Sequence, residues 1–97
     1  MTKKAFLLIN VAMDKEKDRA GVKAKQICAS IRQIKGVESA HIVTGPYEII
    51  AVMKAEDLGT MGNVITTQIA QIPGIEVWTA CVEIASETPS RSRAEMA

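Results

Sequence analysis

QIKGVE at residues 33–38 and QIPGIE at residues 71–76 share one pattern, Gln-Ile-x-Gly-aliphatic-Glu, 38 positions apart in a chain of 97 residues. Each copy closes an apolar stripe of helical period and opens a run of strand composition. A glycine just past the last turn of a helix can take the left-handed conformation that stops it. The two hexapeptides therefore mark the same corner in two similar βαβ halves, residues 5–44 and 47–84.

Working outward, AFLLINVAM (5–13) is short, apolar and bounded by charges, as a buried strand is. A helix is predicted over about 18–35, with Val22, Ile27, Ile31 and Ile34 on one stripe beside Ala20, Ala24 and Cys28. VESAHIVTG (37–45) and YEIIAVMK (47–54) read as two strands joined at Gly45-Pro46, a turn signal through which no strand continues. A second helix follows, with Asp57 as N-cap and Leu58, Met61, Ile65, Ile69 and Ile72 stepping by three and four. IEVWTACVEI (75–84) is the last strand. SETPSRSRAEMA (86–97) is polar and aperiodic, so the domain is expected to span 1–85 and the rest to be a disordered tail. The order strand, helix, strand, strand, helix, strand predicts an α+β, ferredoxin-like βαββαβ sandwich, with both helices on one face of a four-stranded antiparallel sheet.

The other face of that sheet should alternate to polar, and it does not. In the first strand Ala5, Leu7, Ile9 and Val11 point one way, and Phe6, Leu8 and Ala12 the other. In the third strand the sets are Tyr47, Ile49, Ala51, Met53 and Glu48, Ile50, Val52, Lys54. In the last they are Ile75, Val77, Thr79, Cys81 and Trp78, Ala80, Val82, Ile84. A soluble monomer rarely exposes an apolar patch of that size. A second copy is the cover the sequence offers, which predicts a homodimer packed sheet to sheet, a dimeric α-β barrel.

Composition excludes several functions. The net charge is +1, and the lysines, spread over positions 3 to 54, interleave with acids; no clustered basic surface for nucleic acid results. Cys28 and Cys81 are far apart in apolar patterns, which suits two buried thiols in a reducing cytoplasm rather than a disulfide framework. The start, MTKKAFLLINVAMD, loosely mimics a secretory signal, but Asn10 interrupts its short apolar run and charges follow without a cleavage pattern. No run approaches the roughly 20 apolar residues of a membrane span. His41 is the one histidine, and its place in a strand fits packing better than general base chemistry. With two distant cysteines it falls short of a metal set, and isolated glycines make no phosphate loop. No catalytic residue, cofactor or metal is expected.

Two polar features remain open. Thr44, Gly45, Tyr47 and Glu48 converge at one hairpin end. They suit a zwitterion, with Glu48 for an ammonium group and the Gly45 amide for a carboxylate, or they form an ordinary solvated turn. Trp78, beside small Ala80, is either an interface anchor or the wall of a ligand pocket.

The ordered set of the apolar first strand, IKGVESAHIVTGPYEIIAVMKAED and IPGIEVWTACVEI, over about residues 5 to 84, resembles the ligand-binding domain of the leucine-responsive/asparagine (Lrp/AsnC) regulator family. The resemblance implies a sandwich that dimerises sheet to sheet, assembly of dimers into rings that are often octamers, and an amino-acid effector held near a Thr-Gly-x-Tyr-Asp turn. That turn corresponds to Thr44, Gly45, Tyr47 and Glu48. The family's usual helix-turn-helix would lie before the first strand, so the resemblance implies a stand-alone form that binds no DNA itself. Glu48 stands where Asp is usual, and Trp78 and Ala80 stand where many members carry two threonines after Pro-Gly-Val.

The expected function is a non-enzymatic sensing and oligomerisation module, related to transcriptional regulators and able to join a full-length regulator in mixed oligomers. The alternatives are a structural oligomerisation module with a degenerate effector site, and a small dimeric enzyme of the monooxygenase type.

Overall fold

The computed structural model of the protein describes residues 2–12 and 22–85. The expected first turn of the first helix, the charged stretch 14–18, Ala20 and the tail 86–97 lie outside them. Strand β1 (Lys3–Val11), helix α1 (Val22–Arg32), strands β2 (Val37–Ile42) and β3 (Ile49–Ala55), helix α2 (Leu58–Val64) and strand β4 (Ile75–Val82) follow in the expected order. The sheet runs β2-β3-β1-β4, with every pair antiparallel. This is the ferredoxin-like βαββαβ arrangement.

Alternation along the central strands decides what the helices cover. Ala5, Leu7 and Ile9 on β1 and Ile49, Ala51 and Met53 on β3 are fully buried, and they meet Ile27, Cys28 and Ile31 of α1 and Met61, Ile65 and Ile69 of the second helical segment. Two stripe assignments differ from the sequence expectation. Val22 of α1 is about half exposed, and Leu58, in the first turn of α2, is likewise half exposed. Asp57 caps α2 as expected: its carboxylate accepts from the Thr60 amide at 2.7 Å. That hydrogen bond holds the Asp57 carboxyl below its ordinary value.

The helical segment after α2 does not continue as an α-helix. Residues Ile65–Ile69 form a π-helical turn, closed by the Ala70 amide donating to the Ile65 carbonyl at 2.7 Å. The Thr66 carbonyl accepts from the Gln71 side chain at 3.2 Å. Steps of four from Met61 to Ile65 to Ile69 keep all three residues buried through this change of pitch.

The two hexapeptides are structurally equivalent. Gly36 and Gly74 have φ of 100° and 101°. Neither helix ends directly at its glycine. Each ends earlier, and a further turn follows: Ile34 and Ile72 donate to Ile31 and Ile69 at 3.1 Å each, and Val37 and Ile75 donate to Ile34 and Ile72. The glutamate that ends each hexapeptide is the extra residue of a β-bulge. Val37 and Ser39 oppose the adjacent Met53 and Val52, and Ile75 and Val77 oppose the adjacent Val11 and Asn10, so Glu38 and Glu76 are unmatched. The bulge keeps Val37 and Ile75 packed against the core, and the residues beyond it resume alternation in a shifted phase. Strict alternation places Ile75 on the side of Val77; the bulge at Glu76 puts it on the side of Trp78.

Candidate ligand sites on the sheet

The face away from the helices carries Phe6 and Leu8 of β1, Ile50 and Val52 of β3, Ser39 and His41 of β2, and Val77, Thr79 and Cys81 of β4, paired in register across the strands. Phe6, Leu8, Ile50 and Val52 are only half-buried, and Val77, Cys81 and His41 are exposed. Nothing in the described protomer covers this apolar surface. Cys28, by contrast, is buried on the core side of α1, and burial pushes its thiol up, the Arg32 guanidinium opposing part of the effect.

The connection between β2 and β3 is wider than a two-residue hairpin. Val43 donates to the Glu48 carbonyl at 2.9 Å, so residues 44–47 form the loop. Gly45 sits at its tip with φ of 133°, and a side-chain carbon there would meet no atom within 4 Å. Thr44 and Gly45 are exposed, and Tyr47 and Glu48 are half-buried. Glu48 is a tie between three strands: its amide donates to the Ile9 carbonyl at 3.0 Å, and its Oε1 accepts from the Val11 amide at 3.1 Å. Ile9 is the last residue of β1 paired with β3, and the Val11 amide faces the same edge beyond that pair, so the carboxylate satisfies a donor the ladder leaves over. One oxygen of the only acid in this turn is thereby engaged inside the protomer.

Trp78 and Ala80 lie elsewhere. Trp78 is paired with Ile9 and Ala80 with Leu7, both buried under the helices, so the two residues are on the helix side of β4. There they line a groove of about 250 Å³ with Leu58, Met61, Gly62, Ile65, Thr66 and Val82. Trp78 keeps 36% of its surface exposed. The six candidate residues thus separate into the turn, with Thr44, Gly45, Tyr47 and Glu48, and the groove, with Trp78 and Ala80. Sequence reasoning missed Gly62 and Thr66 as groove residues; the one signal was the glycine interrupting an apolar helical stripe. Among the described residues there is no cluster of three or more His, Cys, Asp or Glu side chains able to hold a metal, and no helix long and apolar enough to cross a membrane.

A two-layer α+β protomer with an uncovered apolar sheet, a polar hairpin tip and an apolar groove defines a ligand-binding or assembly domain. The family model of the Lrp/AsnC ligand binding domain matches residues 4–93. The chain belongs to that family, the ligand-binding domains of transcriptional regulators. It is 28% identical over 71 residues, 73% of its own length, to an uncharacterised HTH-type transcriptional regulator, PF0250, of Pyrococcus furiosus; it spans only 44% of that relative. The crystal structure of TTHA0845 from Thermus thermophilus superposes with a TM-score of 0.74 at 22% identity, over 90% of this chain and 99% of that one. The transcriptional regulator NMB0573 of Neisseria meningitidis, solved as a complex with L-Met, superposes with a TM-score of 0.72 at 15% identity, over 93% of this chain and 55% of that one. At these identities the likeness is one of fold.

Proposed function

We propose that the chain is a non-enzymatic sensing and assembly module that works as a dimer packed open face to open face, with an amino acid as effector at the turn 44–48. The observation that carries the reading is the uncovered sheet: Phe6, Leu8, Ile50, Val52, Val77 and Cys81 form one apolar surface across three strands. Left in water, such a patch costs roughly 25 cal/mol for each Å² of apolar surface, and a second copy of the same flat surface is a self-complementary cover. The turn lies at the rim of that surface. It offers exposed backbone amides around Gly45, the Thr44 hydroxyl and the oxygen of Glu48 not bonded to Val11, groups suited to the two charged ends of an amino acid. The structural neighbour solved with L-Met supports this ligand class, and rings of such dimers, alone or mixed with a full-length regulator, are part of the same reading.

The test is a thermal-shift screen against the twenty amino acids, paired with sedimentation across a concentration series. A ligand at 100 times its Kd adds about 2.7 kcal/mol of stability, or several degrees in Tm for a domain of this size. One amino acid that stabilises the wild type and fails to stabilise Glu48→Gln supports the effector site. A silent panel from a dimeric protein leaves a structural oligomerisation module. A monomer at micromolar concentration refutes the assembly reading.

A further inference from the structure

We propose that Glu48 couples the turn 44–48 to the second hexapeptide corner, so that a group bound at the turn tightens the end of β1 and the start of β4. The regulatory half of this inference rests on the effector reading above; the coupling itself does not. The two corners are held alike on one side. The Gly36 carbonyl accepts from the Lys54 amide at 2.8 Å, and the Gly74 carbonyl accepts from the Ala12 amide at 2.7 Å. In each case the donor follows the residue that opposes the first residue of the returning strand, Met53 opposite Val37 and Val11 opposite Ile75. The other side differs. Met53 is also paired with Ala5 of β1, so backbone flanks it on both edges. The pairing of β1 with β3 ends at Ile9 and Ile49, and where a longer β3 would meet Val11, the Glu48 carboxylate accepts from its amide at 3.1 Å. A side chain of the turn takes the place of a strand.

The substitution has a consequence. A ladder is fixed by many residues together, whereas a carboxylate answers to whatever else it binds. With two acceptor oxygens, Glu48 can hold the Val11 amide and a donor at the turn at once. A donor bound there restricts the side chain, and a restricted side chain lets the Val11 bond open less often. Motion at Val11 is passed on because its surroundings are close-packed. Val11 is buried, and the space that a Cβ on Gly74 would need is filled by Ile27, whose Cδ1 would lie 2.8 Å away. β4 starts at this point. Ile75, opposite Val11, packs on the core, and Val77, opposite Asn10, stands on the open face proposed for a second copy. Occupancy of the turn thereby reaches one end of the assembly surface.

Amide hydrogen exchange on the ¹⁵N-labelled full chain tests this one residue at a time. The Val11 amide reports the tie, the Ala12 amide reports the Gly74 corner, and the Lys54 amide, at the equivalent corner, is a reference inside the same molecule. Glu48→Ala is expected to speed exchange at Val11 and Ala12 by about tenfold or more, with Lys54 changed by less than about threefold. Glu48→Gln keeps an acceptor and is expected to leave both rates within about threefold of the wild type. The coupling is overturned if Glu48→Ala speeds Val11 alone. It is overturned too if Lys54 speeds up as much as Ala12, the mark of a general loss of stability, or if the two variants act equally, which would assign the effect to something other than the acceptor. An amino acid that stabilises the protein is expected to slow Val11 and Ala12 by about threefold or more at saturation; unchanged rates overturn the regulatory half. A panel in which no amino acid binds removes the effector reading and the regulatory half with it, and the two variants still decide the coupling.

Discussion

Gly74→Ala puts a side chain into the repeated corner, where both backbone and packing oppose one. The residue sits at φ of 101°, and an L side chain there costs about 1–2 kcal/mol. The new Cβ would also lie 2.8 Å from Ile27 Cδ1 and 2.8 Å from Lys23 Cε. The lysine end is long and flexible, so the decisive contact is the one with Ile27. Ile27 Cδ1 is packed in the core, with only 4% of the residue exposed, and pushing it is overpacking worth about 1–3 kcal/mol. The unfolded chain returns about 0.4–1 kcal/mol, because alanine has less freedom to lose than glycine. The expected net loss is about 2–4 kcal/mol, a large share of the ~5–15 kcal/mol that holds a domain together. Urea denaturation at one fixed protein concentration reads it, since self-association would otherwise shift the midpoint. The double variant with Ile27→Val separates the two causes. Alone, Ile27→Val costs about 0.5–1.5 kcal/mol. Combined with Gly74→Ala it removes the offending methyl, so the pair should couple favourably by at least about 1 kcal/mol. Additivity within about 0.5 kcal/mol would refute the steric account, and a loss below that from Gly74→Ala alone would refute the account from φ as well.

Glu48→Ala should cost about 1–3 kcal/mol by stranding the Val11 amide, and Glu48→Gln, which keeps an acceptor, should recover most of it in urea titration. Equal losses would mean that the amide finds another partner. Asp57 has its carboxyl lowered below 3.8, chiefly by the Thr60 amide, so its contribution is present above that pH and lost as pH falls through the lower folded value. Asp57→Asn should therefore flatten the acid limb of a Tm-against-pH curve without abolishing the cap; an unchanged limb refutes this. Cys28 is raised above 9.0 by burial, so its contribution is complete below that pH and lost as pH rises through the folded value. Cys81 should react with a thiol reagent in the native protein and Cys28 only on unfolding, and the Cys81 rate should rise on dilution if sheet-to-sheet packing covers it; a rate independent of concentration argues against that packing.

Element order was legible because each element has its own period, and the repeat fixed both corners. Boundaries were less so. The β2–β3 connection is wider than Gly45-Pro46 suggests, because the Val43–Glu48 hydrogen bond closes the loop at Glu48 and leaves Tyr47, of strand-like composition, inside it. The two bulges were invisible for a different reason. Alternation is read on the assumption of one residue per step, and an unmatched Glu38 or Glu76 changes phase without changing composition. Ile75 falls on the wrong side in the sequence pattern on that account alone.

The same phase shift explains why the candidate site divides. With Ile75 turned to the core, Trp78, Ala80 and Val82 follow it on the helix side, where α2 leaves them partly open. Val77, Thr79 and Cys81 then complete the open sheet. One strand at the sheet edge therefore presents apolar side chains on both faces. The open face spans three strands, and the groove is lined by no charged side chain. A strand exposed on both sides would be a liability in a protein meant to stay alone. In β4 Val77, Thr79 and Cys81 are exposed on one face and Trp78 and Val82 on the other.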